Sequence, residues 1–208
     1  MIPFRFEREL FEFNVNLYIM NDIRKYFEKF IDLEDHIWKL FVERLEPVTI
    51  SKNEVILSKG EVENYVSIIE TGAIRFVIPG EEDTDTTFGF GFNGHFFSAY
   101  DSFISKVPSQ YQIEALVETK IWRISHRKLN ELFDQTSEGN SIGRQIAEQF
   151  FIGKQKRELS LLTQSAEERY YSLFTHQPQL IKEIPLKYIA SYIGITPQAL
   201  SRIRARIS

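Results

Sequence analysis

Between Val48 and Ile124 the chain changes texture, and that change limits the folds open to it. Seven short runs rich in β-branched and aromatic residues follow one another: Val48–Ile50, Val55–Leu57, Tyr65–Glu70, Ala73–Ile78, Thr86–Phe92, Gln110–Val117 and Ile121–Ile124. Turn residues separate them at Lys52-Asn53, Lys59-Gly60, Thr71-Gly72, Pro79-Gly80 and Asn93-Gly94. Short, evenly punctuated strands predict an all-β barrel or roll of about 80 residues. The aromatic set Phe88, Phe90, Phe92, Phe96, Phe97, Tyr100 and Phe103 fits either its core or an apolar ligand pocket.

Helical periodicity flanks this region. Residues 1–19 mix Phe, Glu, Arg and Asn without a period and are set aside as an extension of unclear role. Asp22–Phe30 and Asp35–Leu45 repeat apolar residues at helical spacing, and Pro47 is expected to end the second helix. His126–Phe133 is a short helix, and Glu138–Thr163 a long one without proline. The long helix is apolar on two sides: Ile142, Ile146, Phe150 and Leu161 on one, Ala147, Phe151, Leu159 and Leu162 on the other. Two apolar sides require two partners, the β-roll and either a second copy of the helix or another part of the same globular chain. The seam is expected near Ile142, Ile146, Phe150 and Gly153.

The C-terminal stretch IPLKYIASYIGITPQALSRIRARIS is the most specific motif. After a helix at Ala166–His176, closed by Pro178, helices are predicted over Leu186–Ile193 and Pro197–Arg206, joined by a turn at Gly194-Ile195. A helix-turn-helix needs a small residue where its helices cross, here Ala190, and a glycine in the turn, here Gly194. Ile189, Ile195, Leu200 and Ile203 would lock the pair. Thr196 is a suitable N-cap, with Pro197 at the first helical position. Gln198, Ser201, Arg202 and Ala205 then share one free face. Gln pairs with adenine and Arg with guanine through bidentate hydrogen bonds in the major groove. Lys187, Thr196, Arg204 and Arg206 are placed to meet phosphates.

Charge is distributed in keeping with this. The formal net charge is −4, yet Lys182, Lys187, Arg202, Arg204 and Arg206 face only Glu183 after position 181, a net +4 tail on a body of −8. Absence of cysteine excludes disulfides, thiolate metal sites and Cys-ligated iron–sulfur clusters. The four histidines, His36, His95, His126 and His176, lack metal-ligand spacing. No metal, no cofactor and no enzymatic activity are expected. No apolar run has the length of a membrane span, and the N-terminus does not resemble a signal peptide, so a cytoplasmic protein with no membrane partner is expected.

From about Met20 onward the chain resembles the Crp/Fnr family of transcription regulators. The order matches: β-roll, long dimerisation helix, helix-turn-helix. VILSKGEVENYVSIIETGAIRFVI resembles the family's early β-roll. GFNGHFFSAYDSFISKVPSQYQIEALVETKIWRIS resembles its later part, including the cassette that holds cyclic nucleotide phosphate in some members. The resemblance implies a homodimer on a two-fold related DNA site. It places the base-reading positions on Gln198, Ser201 and Arg202, with a further family arginine falling on Pro197. It makes Phe97, Ser98, Ala99, Tyr100, Ser109, Gln110 and Tyr111 the ligand-pocket candidates. There the sequence departs from the cyclic-AMP pattern. The ribose-binding Glu falls on Ala99, and the phosphate-binding Arg and its Ser neighbour fall on Ser109 and Gln110. Both charge-assisted contacts are therefore missing.

The expected fold is α+β. An N-terminal double-stranded β-roll of the cyclic nucleotide-binding jelly-roll type occupies 20–137, a dimerisation helix 138–163, and a winged-type helix-turn-helix 164–208, with the sequence stopping at Ser208 before any wing. The expected function is DNA-binding transcription regulation. Double-stranded DNA and a second copy are the partners, with an unidentified small-molecule effector and RNA polymerase as further candidates. The alternatives are a β-roll ligand-binding or regulatory protein that does not bind DNA and a cupin-like metalloenzyme.

Overall fold

The computed structural model describes residues 20–81, 84–176, 178, 182 and 184–207. The extension 1–19, Glu82 and Asp83 of the acidic run at 81–83, Glu183 and Ser208 lie outside the described residues. Helix α1 (20–28) is followed by α2 (Asp35–Val42) and then by strands β1 (Glu46–Ile50), β2 (Val55–Leu57), β3 (Tyr65–Thr71), β4 (Ala73–Ile78), β5 (Thr86–Phe92) and β6 (Phe96–Phe97). A short helix α3 (Tyr100–Ser105) separates these from β7 (Gln112–Ala115) and β8 (Thr119–Ser125). The C-terminal part is helical: α4 (His126–Gln135), α5 (Ser137–Thr163), α6 (Ala166–His176), α7 (Leu186–Ile193) and α8 (Pro197–Ile207).

The strands form two four-stranded antiparallel sheets, ordered β1-β8-β3-β6 and β2-β7-β4-β5. Alternation along each strand separates two environments. On β3, Val66 and Ile68 face α1, α2 and α5 in one apolar cluster with Phe27, Ile37, Phe41 and Ile142, while Ile69 turns inward to Ile74, Ile113 and Ile121 between the sheets. On β4, Ile74 lies between the sheets, and Ala73 on the opposite face joins Phe92 and the C-terminal helices.

Two elements differ from the sequence reading. Helix α2 ends at Val42, ahead of Pro47, which lies within β1 opposite Trp122. Among the described residues β1 pairs only with β8, which makes it an edge strand, where a residue lacking an N–H is tolerated. The second difference is the segment after Gly94, which yields β6 and α3 in place of an unassigned aromatic stretch.

The two halves of α5 differ in surroundings. Ile142 and Ile146 are 0% and 3% exposed and are buried against α1, α2 and α4 of the same chain, so they cannot supply an intermolecular seam. Gly143 allows the close packing of α4, since a Cβ there would lie 2.4 Å from Cζ of Phe133. Further along, Phe151 is 68% and Leu162 76% exposed, with Ile152, Leu159 and Leu161 also uncovered.

Candidate nucleic-acid interface and ligand cassette

The C-terminal helix pair is built as its motif requires. Ala190 is fully buried at the crossing, and Ile189, Ile193, Leu200 and Ile203 form the lock, with Ile195 half-buried beside them. Gly194 has φ +79°, in the left-handed region that closes α7. Its N–H donates to Ser191 O at 3.0 Å, and the Ile195 N–H donates to Ala190 O at 3.0 Å, a Schellman closure. The Ala199 N–H donates to Thr196 Oγ1 at 3.2 Å, capping α8.

Two carbonyls at the end of α7 remain after this closure, and arginines from other helices satisfy them. Arg157 of α5 donates to Tyr192 O, and its guanidinium stacks 4.0 Å from the Tyr192 ring centroid. Arg169 of α6 donates to Ile193 O at 2.9 Å. Burial, reinforced by neighbouring Arg169, holds the Arg157 guanidinium below its ordinary pKa.

With the lock turned inward, Thr196, Pro197, Gln198, Ser201, Arg202, Arg204, Ala205 and Arg206 are exposed, as is Lys187 on α7. Gln198, Ser201 and Arg202 share one face of α8. Arg206 also lies 3.6 Å from Glu167 of α6, so it already has an anionic neighbour. The Lys187 ammonium sits 5.1 Å from the Tyr188 ring centroid.

The cassette has a different character. Phe97, Ser98, Ala99 and Ser109 are buried, Tyr100 and Tyr111 half-buried, and Gln110 exposed. The side-chain polar atoms of Ser98, Ser109 and Tyr111 are engaged within the chain. Ser98 Oγ donates to Tyr65 O at 2.9 Å, and Ser109 Oγ donates to Tyr111 O at 2.8 Å. Ser109 also exchanges backbone hydrogen bonds of 2.8 Å with Gly60 and Glu61. The Tyr111 hydroxyl donates to Asp101 Oδ1 at 2.8 Å, and burial raises its pKa.

A carboxylate that sequence reasoning overlooked lies at the centre of this cassette. Glu63 is 6% exposed. Its Oε1 accepts from the backbone N–H groups of Asn64 and Tyr65, each at 2.9 Å, and its Oε2 accepts from Ala99 N at 3.4 Å. Its own N–H donates to Ser102 Oγ at 3.0 Å. Burial pushes the carboxyl above its ordinary pKa, while the amides of Tyr65, Ala99 and Asn64 pull it down. Thus a carboxylate does reach Ala99, but it binds backbone. An alternating strand pattern carries no signal for a loop residue that meets a partner 36 positions away.

Among the described residues, no group of three or more His, Asp or Glu is placed to hold a metal ion, and no helix is long and apolar enough to cross a membrane.

Comparison with known proteins agrees with this architecture. The cyclic nucleotide-binding domain family matches residues 47–136, which run from β1 to the end of α4. FixK2 from Bradyrhizobium japonicum superposes with a TM-score of 0.64 at 18% identity, over 78% of this chain and 84% of that one. A transcriptional regulator assigned to the Crp/Fnr family in Eubacterium rectale gives 0.62 at 16% identity, over 85% and 84%. The chain has the Crp/Fnr fold. CLP, a c-di-GMP responsive global regulator of Xanthomonas campestris, shares that fold with a TM-score of 0.61 at 14% identity, covering 84% of this chain and 91% of CLP. Among curated proteins, no sequence matches the chain.

Proposed function

We propose that this chain is a DNA-binding transcription regulator of the Crp/Fnr type. The observation that carries the proposal is the exposed face of α8, where Gln198, Ser201 and Arg202 stand clear of a lock formed by Ala190, Leu200 and Ile203. That arrangement suits insertion into a major groove, with Arg202 and Gln198 reading base edges and Ser201 between them. Thr196 at the helix start, together with Lys187, Arg204 and Arg206, would meet phosphates, Arg206 by leaving Glu167, while Pro197 lies beside the reading face where relatives carry an arginine. Structural neighbours described as regulators support the same role.

The uncovered distal half of α5, from Phe151 to Leu162, supports a homodimer in which two such helices pair. Within this reading 20–137 is the sensor domain, 138–163 the dimerisation helix and 164–208 the DNA-binding domain. The protein would act in the cytoplasm, without catalysis, and with RNA polymerase as a further partner. The cassette is proposed not to bind cyclic AMP, because Ala99 and Ser109 offer neither carboxylate nor guanidinium and Glu63 is committed to the backbone.

The test is selection of genomic DNA fragments by the purified protein, followed by binding measurements across salt concentrations. A preferred, two-fold related sequence with strong salt dependence is expected. A protein that ignores DNA even at low salt would instead be a β-roll regulatory protein whose helices serve protein contacts. Sedimentation at micromolar protein should show a dimer, and a 24.5 kDa species alone would end the dimer proposal.

A further inference from the structure

Helix α7 is gripped from three sides, and most of the grip comes from outside the helix-turn-helix. On the β-roll side, the buried N–H of Thr87 on β5 donates to Ser191 Oγ at 2.8 Å, and that hydroxyl donates to Asp85 O at 3.2 Å. Phe90 of β5 meets the Tyr192 ring edge-on at 5.2 Å. Arg75 of β4, only 4% exposed, stacks 3.9 Å from the Tyr188 ring centroid. Its guanidinium is held there by Glu114 at 2.5 Å, Asp85 at 3.0 Å and Thr87 Oγ1 at 3.2 Å. From the other directions Arg157 and Arg169 close the end of α7.

We propose that this contact is a clamp, and that the clamped arrangement is the DNA-binding form, so that the chain engages its site without a small-molecule effector. The inference rests on the DNA-binding reading above. Three observations carry it. First, the attachments are polar and directional as well as apolar, so they fix the orientation of α7 and through the lock that of α8. Second, the β-roll touches α7 and leaves Gln198, Ser201 and Arg202 exposed, so docking does not cover the proposed reading face. Third, three polar groups of the cassette, Glu63, Ser98 and Ser109, already bond within the chain and do not wait for an effector to pair them. Undocking would free α7 from its β-roll contacts and make orientation of α8 a cost of binding.

The test uses two uncharged substitutions from opposite sides of the contact, Phe90→Ser on β5 and Ser191→Gln on α7, in the full chain. Hydrogen exchange at the Thr87 amide reports docking, and exchange at Leu200 and Ile203 reports whether the helix pair stays folded. Affinity is measured, with no ligand added, on DNA fragments selected by the unmodified protein. Faster Thr87 exchange with an affinity loss of tenfold or more, while Leu200 and Ile203 stay protected, is the expected result. Unchanged affinity after undocking would make the clamp irrelevant, and tighter binding would make it inhibitory; either overturns the proposal. So would an unmodified protein that selects DNA only when a small-molecule cell fraction is present. If neither the unmodified protein nor the variants prefer any fragment, the DNA-binding reading itself falls, and the clamp with it.

Discussion

In the cassette, Ser98, Ser109 and Glu63 point into the chain and bind its own backbone. In the helix pair, Gln198, Ser201 and Arg202 point away from the chain. Both regions resemble functional parts of the same family, and both keep the family's shape. They differ in where their hydrogen-bonding capacity is directed. Inward-directed groups stabilise a loop, whereas outward-directed groups remain available to a partner. A shared fold therefore does not carry a shared ligand, and each region has to be judged by what its polar atoms already hold.

The strongest way to break this comparison is to remove the cassette's internal anion. Three backbone donors converge on Glu63. Glu63→Ala should cost about 1–3 kcal/mol for each buried donor left without a partner, read by urea unfolding. Loss of well under 1 kcal/mol would show that the carboxylate is dispensable to the fold, and the cassette would again be a candidate open site. On the helix side, Arg202→Ala should leave stability unchanged, because the side chain is exposed, yet cost roughly 1–3 kcal/mol of affinity and relax preference at one base pair. An unchanged ratio between the selected site and scrambled DNA would remove Arg202 from base reading.

Smaller effects sharpen the contrast. Burial raises the Glu63 pKa above its ordinary 4.5, so the folded chain holds this proton more tightly than the unfolded chain. Stability from this group is therefore present at low pH and lost as pH rises from 4.5 through the raised folded value. Glu63→Gln should remove that component, seen as a difference in the pH slope of unfolding between the two proteins. The smallest expected effect is that of cyclic AMP. At concentrations that saturate a nucleotide-binding relative it should leave the melting temperature unchanged, since a ligand stabilises only through binding to the folded state. A clear upward shift would show that Gln110, Tyr111 or other groups replace the missing charges.

How much of this could be read in the sequence depends on how far apart the contributing residues lie. Helix α7 ends and helix α8 begins where periodicity and punctuation place them, because Gly194, Thr196 and Pro197 act on their immediate neighbours. Strands β2, β4 and β5 are equally local and agree with the sequence reading. The readings that failed depend on the third dimension. Ile142 and Ile146 have the spacing of an intermolecular seam, but α1, α2 and α4 cover them first. Arg157 and Arg169 carry no local signal, because the carbonyls they bind at the end of α7 lie 35 and 24 positions later in the chain. Arg75 pairs with Glu114 and Asp85 within the roll and meets Tyr188 of α7, contacts that strand alternation does not reveal.

Pro47 carries one more consequence. A terminal strand offers a row of free amides and carbonyls onto which a strand from another molecule can add, and growth of that kind leads to fibrils. Among the described residues β1 is such a border, pairing with β8 alone, and the pyrrolidine ring opposite Trp122 interrupts its row of donors. The residue that breaks the helical pattern in the sequence thus also takes one donor out of that border, which disfavours addition of a foreign strand there.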